Sequence, residues 1–163
     1  MSQEGHAITD LEVEINTTYH AQNIGESLCR RLNTALICFQ FLLGSSVIAK
    51  TEHSFFVGLA IAAISAIQAA CKFSDKAAEH RACRLVYSRL VNEIGRANDR
   101  AAYDAVEKKH FAAEINEPQI SHRTLVIAQH CAHQTLYRKP VKMKFSLTQR
   151  LTAFFAGVSL KHH

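Results

Sequence analysis

Histidine and cysteine are the side chains here with the broadest chemical capacity, and the sequence contains ten His and five Cys. The nearest approach to a ligand cluster is His130, Cys131 and His133, which one helix cannot bring to a shared face. No second ligand pair, CxxC, HExxH, GxSxG or glycine-rich phosphate loop accompanies them, and the acidic residues are scattered. We therefore expect no metal, no cofactor and no catalytic centre, so the chain is not predicted to be an enzyme.

Two long stretches of the sequence carry no charged residue. Leu32–Ala49 and Ser54–Cys71 each contain 18 residues without Asp, Glu, Lys, Arg or His. Helices of this length span about 27 Å, close to the bilayer's hydrocarbon thickness of about 30 Å. Both are apolar nearly all round, and only Lys50-Thr51-Glu52-His53 joins them. The pattern predicts a transmembrane helical hairpin over residues 17–72, with spans at about 32–49 and 54–71. Two buried core helices of a soluble bundle are the alternative.

Polar and small residues within these stretches form two sets. Amides and hydroxyls are costly against lipid, so they should face another helix or water. The first set consists of Asn33, Gln40, Ser65 and Gln68. These residues would line a pore if several hairpins assemble, or would hold helices together in a static bundle. The second set consists of Gly58, Ala62, Ala66 and Ala70, which recur every four residues. This small-xxx-small pattern allows close contact between helices, so these residues are predicted to pack the two helices of the hairpin together.

Charge is segregated along the chain and indicates an orientation. Basic residues flank the outer ends of the hairpin, with Arg30 and Arg31 before it and Lys72 and Lys76 after it. The positive-inside rule then places both termini in the cytoplasm. Residues 1–16 form an acidic segment without the features of a signal peptide. Residues 118–163 carry seven basic residues and no acid, which suits anionic lipid. No nucleic-acid reader module is recognisable, so no nucleic acid is expected as a partner.

Residues 73–137 are predicted to form a cytoplasmic helical domain. Its first helix carries a heptad seam that either packs on the next helix or joins subunits of a homo-oligomer: Cys83, Tyr87, Leu90, Ile94, Ala97 and Ala101. Gly95 lowers helix stability, so a bend or two shorter helices are expected near it.

The C-terminal segment, residues 138–163, is basic and amphipathic. Ser146 and Gln149 form a capping-box signature that starts a helix. This helix is predicted to lie at the membrane interface, with folding back onto the cytoplasmic helices as the alternative. The residues expected to make the interface are Arg150, Leu151, Phe154 and Phe155.

This layout resembles that of the SLATT domains (SMODS and SLOG-associating two-transmembrane effector domains). The strongest similarity is the junction Ile67–Arg96, where a Phe-Ser-x-Lys-Ala-x-x-His element leads from the membrane into a charged helix. Weaker matches are Tyr19-His20 and the segment Leu147–Phe155, whereas Gln40 inside the first stretch departs from the pattern. The motif residues, which we interpret as a structural collar at the membrane exit, are Phe73, Lys76, Ala77 and His80.

The resemblance implies an all-α membrane effector of a bacterial antiphage or conflict system. Such a protein would oligomerise and permeabilise the inner (cytoplasmic) membrane when a separately encoded sensor or a nucleotide second messenger signals infection. Two alternatives fit the same hairpin: a phage holin-like pore former, and a non-conducting scaffold that holds a partner at the membrane.

Overall fold

The computed structural model describes residues 2–48, 54–137 and 143–160, and these ranges contain helices and no strand. The expected all-α class is therefore confirmed. Six helices follow one another: α1 (Ser2–Ile48), α2 (Ser54–Cys71), α3 (Phe73–Ile94), α4 (Arg100–Glu114), α5 (His122–Tyr137) and α6 (Leu147–Ala156). Ala49, at the end of the first predicted span, and the predicted connection Lys50 to His53 lie outside the described residues.

Helix α1 is the element against which the other helices pack. It has 47 residues and is therefore about 70 Å long. One unbroken helix covers both the predicted acidic segment, residues 1–16, and the start of the predicted hairpin. The reason is that Leu11, Ile15 and Tyr19 recur every four residues and pack against α3. The acidic segment thus has an apolar face with a partner.

The predicted heptad seam packs against other helices of the same chain. Tyr87, Leu90 and Ile94 of α3 are buried in one cluster with Ile15 of α1 and Val106 of α4. The seam therefore contacts two helices of the same chain rather than one.

The C-terminal part of the predicted seam needs a correction. Helix α3 stops at Ile94, Ala97 lies in the connection to α4, and Ala101 is exposed. A new helix starts after Asp99, whose side chain accepts a hydrogen bond from the Ala102 N–H at 2.7 Å. Two shorter helices, as expected around Gly95, replace a continuous one.

A second apolar cluster joins α5 and α6 to the middle of α1. Its buried members are Ala21, Ile24, Ile127, Ala128, Ala153 and Ala156. Helix α6 begins with the predicted capping box: Ser146 Oγ accepts from the Gln149 N–H at 3.3 Å, and Gln149 Oε1 accepts from the Ser146 N–H at 2.8 Å. It ends at Gly157, which has the left-handed conformation (φ 73°) that favours glycine.

One helical run in the described residues, Phe55–Ile94, is long and apolar enough to cross a membrane. Its apolar part is α2, because α3 carries charged residues and starts after Lys72, a left-handed residue with φ 47°. Helix α2 also has the bounds predicted for the second span. The first predicted stretch does not meet the same criterion within the described residues. Within the described residues there is therefore one candidate span, where the sequence predicts two.

Candidate functional site

The polar residues predicted inside the membrane meet between α1 and α2. Gln40 Nε2 donates to Ser65 Oγ at 2.9 Å, and Gln68 Nε2 lies 3.5 Å from Asn33 Oδ1. Residue numbers rise along α1 as they fall along α2, so the two helices are antiparallel. Ser65 Oγ in turn donates to the Ile61 carbonyl at 2.9 Å. All four candidates therefore have hydrogen-bond partners within the chain.

A groove of about 600 Å³ opens beside the Gln40–Ser65 pair. It is lined by Gln40, Phe41, Gly44, Ser45, Ile61 and Ser65. The amide and the hydroxyl are thus bonded to each other and remain accessible from one side. This geometry suits both a helix-joining contact and a polar strip on an exposed surface.

The small-residue stripe of α2 faces away from α1. Gly58, Ala62, Ala66 and Ala70 are all exposed, and a Cβ placed on Gly58 would meet no atom within 4 Å. The prediction that this stripe packs the hairpin is therefore corrected. The side of α2 that is half-buried instead carries Val57, Ala60, Ile61, Ile64, Gln68 and Cys71. The partly buried side of α2 thus carries branched apolar side chains rather than the small-residue stripe.

The junction motif lies where α3 begins. Phe73 and Ala77 are half-buried, His80 is buried, and Lys76 is exposed. Spacings of four and three residues place the first three on one face of α3. His80 contacts α1 at Gly25, where an added Cβ would lie 2.9 Å from the ring. Glycine at this position lets the imidazole rest against the backbone of α1.

His80 opens a buried polar network that sequence reasoning did not find. Its Nδ1 lies 2.6 Å from Oε1 of Gln22, a fully buried residue, so the nitrogen must donate to the amide oxygen. Gln22 Nε2 donates to Glu117 Oε1 at 3.0 Å. Tyr87 donates to the other Glu117 oxygen at 3.4 Å. His110 Nδ1 lies 3.4 Å from the Tyr87 hydroxyl. Glu117 is thus the common acceptor of a network joining α1, α3 and α4.

Burial shifts the titration of this network. It lowers the pKa of His80 from its ordinary value, against the opposing attraction of Glu79 and Glu26. It raises the pKa of Glu117, although the hydrogen bonds from Gln22 and Tyr87 act in the opposite direction. The pKa of Tyr87 is also raised by burial. The His80 imidazole and the Tyr87 phenol are therefore neutral at pH 7, which suits a structural network.

A separate ion pair joins α3 to α1 one turn beyond His80. Arg84 Nε donates to Glu26 Oε2 at 2.8 Å, between α3 and α1. Both side chains are partly buried, so the pair is screened less than a surface ion pair. It fixes the two helices next to His80.

The C-terminal helix folds back onto the protein. Ala153 and Ala156 are buried, whereas the predicted interface residues Arg150, Leu151, Phe154 and Phe155 are exposed. Arg31 of α1 holds the end of α6, since its Nη1 donates to the Phe155 carbonyl at 3.3 Å. The helix therefore packs through its alanines and turns the predicted face outward.

The histidine and cysteine side chains singled out as possible metal ligands or nucleophiles have the following surroundings. No group of three His, Cys, Asp or Glu in the described ranges could hold a metal ion. The buried His130 ring meets Phe145 edge-on at 5.1 Å. Burial raises the pKa of the Cys83 thiol to about 11, so it is not a thiolate at neutral pH.

Comparison with known proteins adds no assignment. No family model, no curated protein and no solved structure matches the chain. Any function must therefore be argued from the geometry above and from the resemblance in the sequence.

Proposed function

We propose that the chain is a membrane effector whose helical hairpin, made by α2 and the C-terminal part of α1, crosses a bacterial inner membrane. Oligomers of it would permeabilise that membrane when a separately encoded sensor or a nucleotide messenger signals. The observation that carries the membrane part is the exposure of α2. None of its most apolar 18-residue window is buried. A core helix of a soluble protein would pass the same hydropathy criterion but would be mostly buried.

The C-terminal part of α1 exposes large apolar side chains, as α2 does. Large side chains point outward on both helices: Phe39, Phe41, Leu42, Phe55, Phe56, Leu59 and Ile67. Monomeric soluble proteins seldom expose continuous apolar patches above a few hundred Å². A bilayer covers such a surface on both helices, which supports a second span in α1.

Two features support permeabilisation by an assembly of hairpins. The groove beside Gln40 and Ser65 presents polar atoms on an otherwise apolar surface. The outward stripe around Ala66 leaves room for the close approach of a second helix. The similarity of the junction Phe73–His80 to SLATT domains supports the role as a defence effector.

The direct test is dye release from liposomes that contain the full-length protein, alone and with added cyclic nucleotides. We expect release with a trigger, and its loss in Gln40→Leu. The matched control is Gln129→Leu, an exposed position on α5 outside the proposed membrane segment. Absence of release under every trigger, together with an intact membrane potential in expressing cells, would contradict the proposal.

A non-conducting scaffold is the second candidate, and one observation favours it. The intramembrane polar groups are already paired within one chain, through Gln40–Ser65 and Gln68–Asn33. If the protein is a non-conducting scaffold, Gln40→Leu leaves its activity in the cell unchanged, because no pore depends on that amide. Charges introduced at Tyr87 or Leu90 abolish activity in either case, because both residues are buried.

A further inference from the structure

Helix α6 has the reverse of the usual amphipathic arrangement. Its alanines, Ala153 and Ala156, pack on the protein, whereas Leu147 and Phe154 are 76% and 74% exposed. Leu151 and Phe155 extend the exposed side. A helix that faced only water would bury its large apolar side chains and expose the small ones. No described part of the chain covers the outward face of α6, which therefore suits an apolar neighbour.

The position of α6 along α1 indicates that neighbour. Arg31 donates to the Phe155 carbonyl and also lies against Gly157, where a Cβ would come within 2.8 Å of the guanidinium carbon. Arg31 directly precedes Leu32, the first residue of the apolar stretch of α1. The end of α6 is therefore held at the level where α1 enters the proposed membrane.

Several cationic side chains lie at the same height as the end of α6. Gln68 of α2 lies beside Asn33 of α1, so Lys72 and Arg30, each about one turn beyond that contact, are near the same height. Both are exposed, as are Arg31 and Arg150. The nearest acids along these helices are Asp75, in the first turn of α3, and Glu26, which is already paired with Arg84. The net charge of this level is therefore positive.

We propose that α6 is seated in the headgroup region of an anionic leaflet. Leu147, Leu151 and Phe154 enter the boundary with the acyl chains, and the phosphates of anionic phospholipids bind the surrounding cations. This combination of exposed aromatic and cationic side chains is typical of interfacial helices. The inference rests on the proposed membrane hairpin and adds its lipid partner.

The test uses the full-length protein without native cysteines, in nanodiscs of phosphatidylcholine with or without phosphatidylglycerol. Single cysteines replace Phe154, Leu59 and Ala101, and each carries a fluorophore that quenchers attached to lipid can reach. We expect quenching of the Phe154→Cys label to increase with phosphatidylglycerol. The Leu59→Cys label, on α2, is quenched in both lipids, and the Ala101→Cys label, on α4, in neither.

Variants and alternative outcomes keep the result unambiguous. Arg30→Gln with Lys72→Asn removes two of the four cations without changing Arg31, and should weaken the dependence on phosphatidylglycerol. A water-exposed Phe154→Cys label beside a quenched Leu59→Cys label overturns the seating of α6 and leaves the hairpin intact. An unquenched Leu59→Cys label overturns both. A second copy of the protein could cover this face instead of lipid. In that case the Phe154→Cys label is shielded both from water and from the lipid-attached quenchers, and this shielding is lost when the protein is diluted. That result overturns the lipid proposal.

Discussion

His80 Nδ1 and Gln22 Oε1 lie 2.6 Å apart in the interior of the protein. The amide oxygen can only accept, so the imidazole proton is on Nδ1 and the amide nitrogen of Gln22 remains to donate to Glu117. One fully buried side chain thus joins the start of α3 and the end of the α4 region to the middle of α1. This contact lies close to the connection between α2 and α3, since α3 follows α2 after a single residue.

Replacing Gln22 by Leu should destabilise the fold markedly. The change leaves the buried His80 imidazole without its acceptor and removes one of the two hydrogen bonds to Glu117, which costs about 2–4 kcal/mol. Thermal unfolding of the detergent-solubilised protein measures it. Gln129→Leu, at an exposed position, is the matched control. Equal melting temperatures for the two variants would show that the network contributes little.

Adding one methyl group at Gly25 should displace His80. A Cβ there would lie 2.9–3.0 Å from three ring atoms, and we expect Gly25→Ala to cost about 1–3 kcal/mol. Gly58→Ala is the control, because nothing lies within 4 Å of that position. His80→Ala should relieve part of the penalty in the double variant. Full additivity in the double-mutant cycle would argue against direct contact.

The stability of the protein should fall on mild acidification. Burial lowers the pKa of His80, so the unfolded chain binds its proton at a higher pH than the folded chain does. The stabilisation is therefore present above about pH 6.5, the ordinary histidine value, and is lost as the pH falls below it. Glu117, with a raised pKa, acts in the opposite sense at lower pH.

His80→Gln should flatten this pH dependence, since a glutamine can still donate to Gln22 and does not titrate. The measurement is the melting temperature at pH values between 7.5 and 5.5, which lie about one unit either side of the ordinary histidine pKa. The slope of melting temperature against pH is then compared between the variants. His20 retains part of the slope, because burial lowers its pKa as well. His122→Gln changes an exposed histidine and serves as the control. An unchanged slope in His80→Gln would refute the assignment.

The outward stripe of α2 should mediate contact between hairpins. Ala66→Leu places a large side chain at its centre and should weaken self-association, whereas Ala66→Gly keeps the surface small. Chemical cross-linking in membranes, followed by electrophoresis, compares the two. Identical cross-linking patterns would remove the stripe from the oligomer interface.

Local sequence patterns predicted the elements better than their partners. Helix α2 has the predicted bounds, and the capping box at Ser146 is present, because both depend on neighbours within a few residues. Gln22 was missed because its partners, His80 and Glu117, lie 58 and 95 positions away. The one available signal was its place on the same face as Ile15 and Tyr19. The direction of the small stripe was likewise not predictable, since spacing alone does not say which neighbour a helix face meets.

Thiol accessibility at Phe41 and Leu59 tests the membrane hairpin most directly. Each is exposed on one of the two helices. Phe41→Cys and Leu59→Cys are made separately in the cysteine-free protein in bacterial membranes, with Ala101→Cys as the aqueous control. The hairpin predicts that a water-soluble maleimide labels Ala101→Cys in inverted vesicles and reaches the other two only after detergent is added. Labelling of Phe41→Cys alone would reduce the hairpin to one span, and labelling of both positions without detergent would contradict a membrane hairpin altogether.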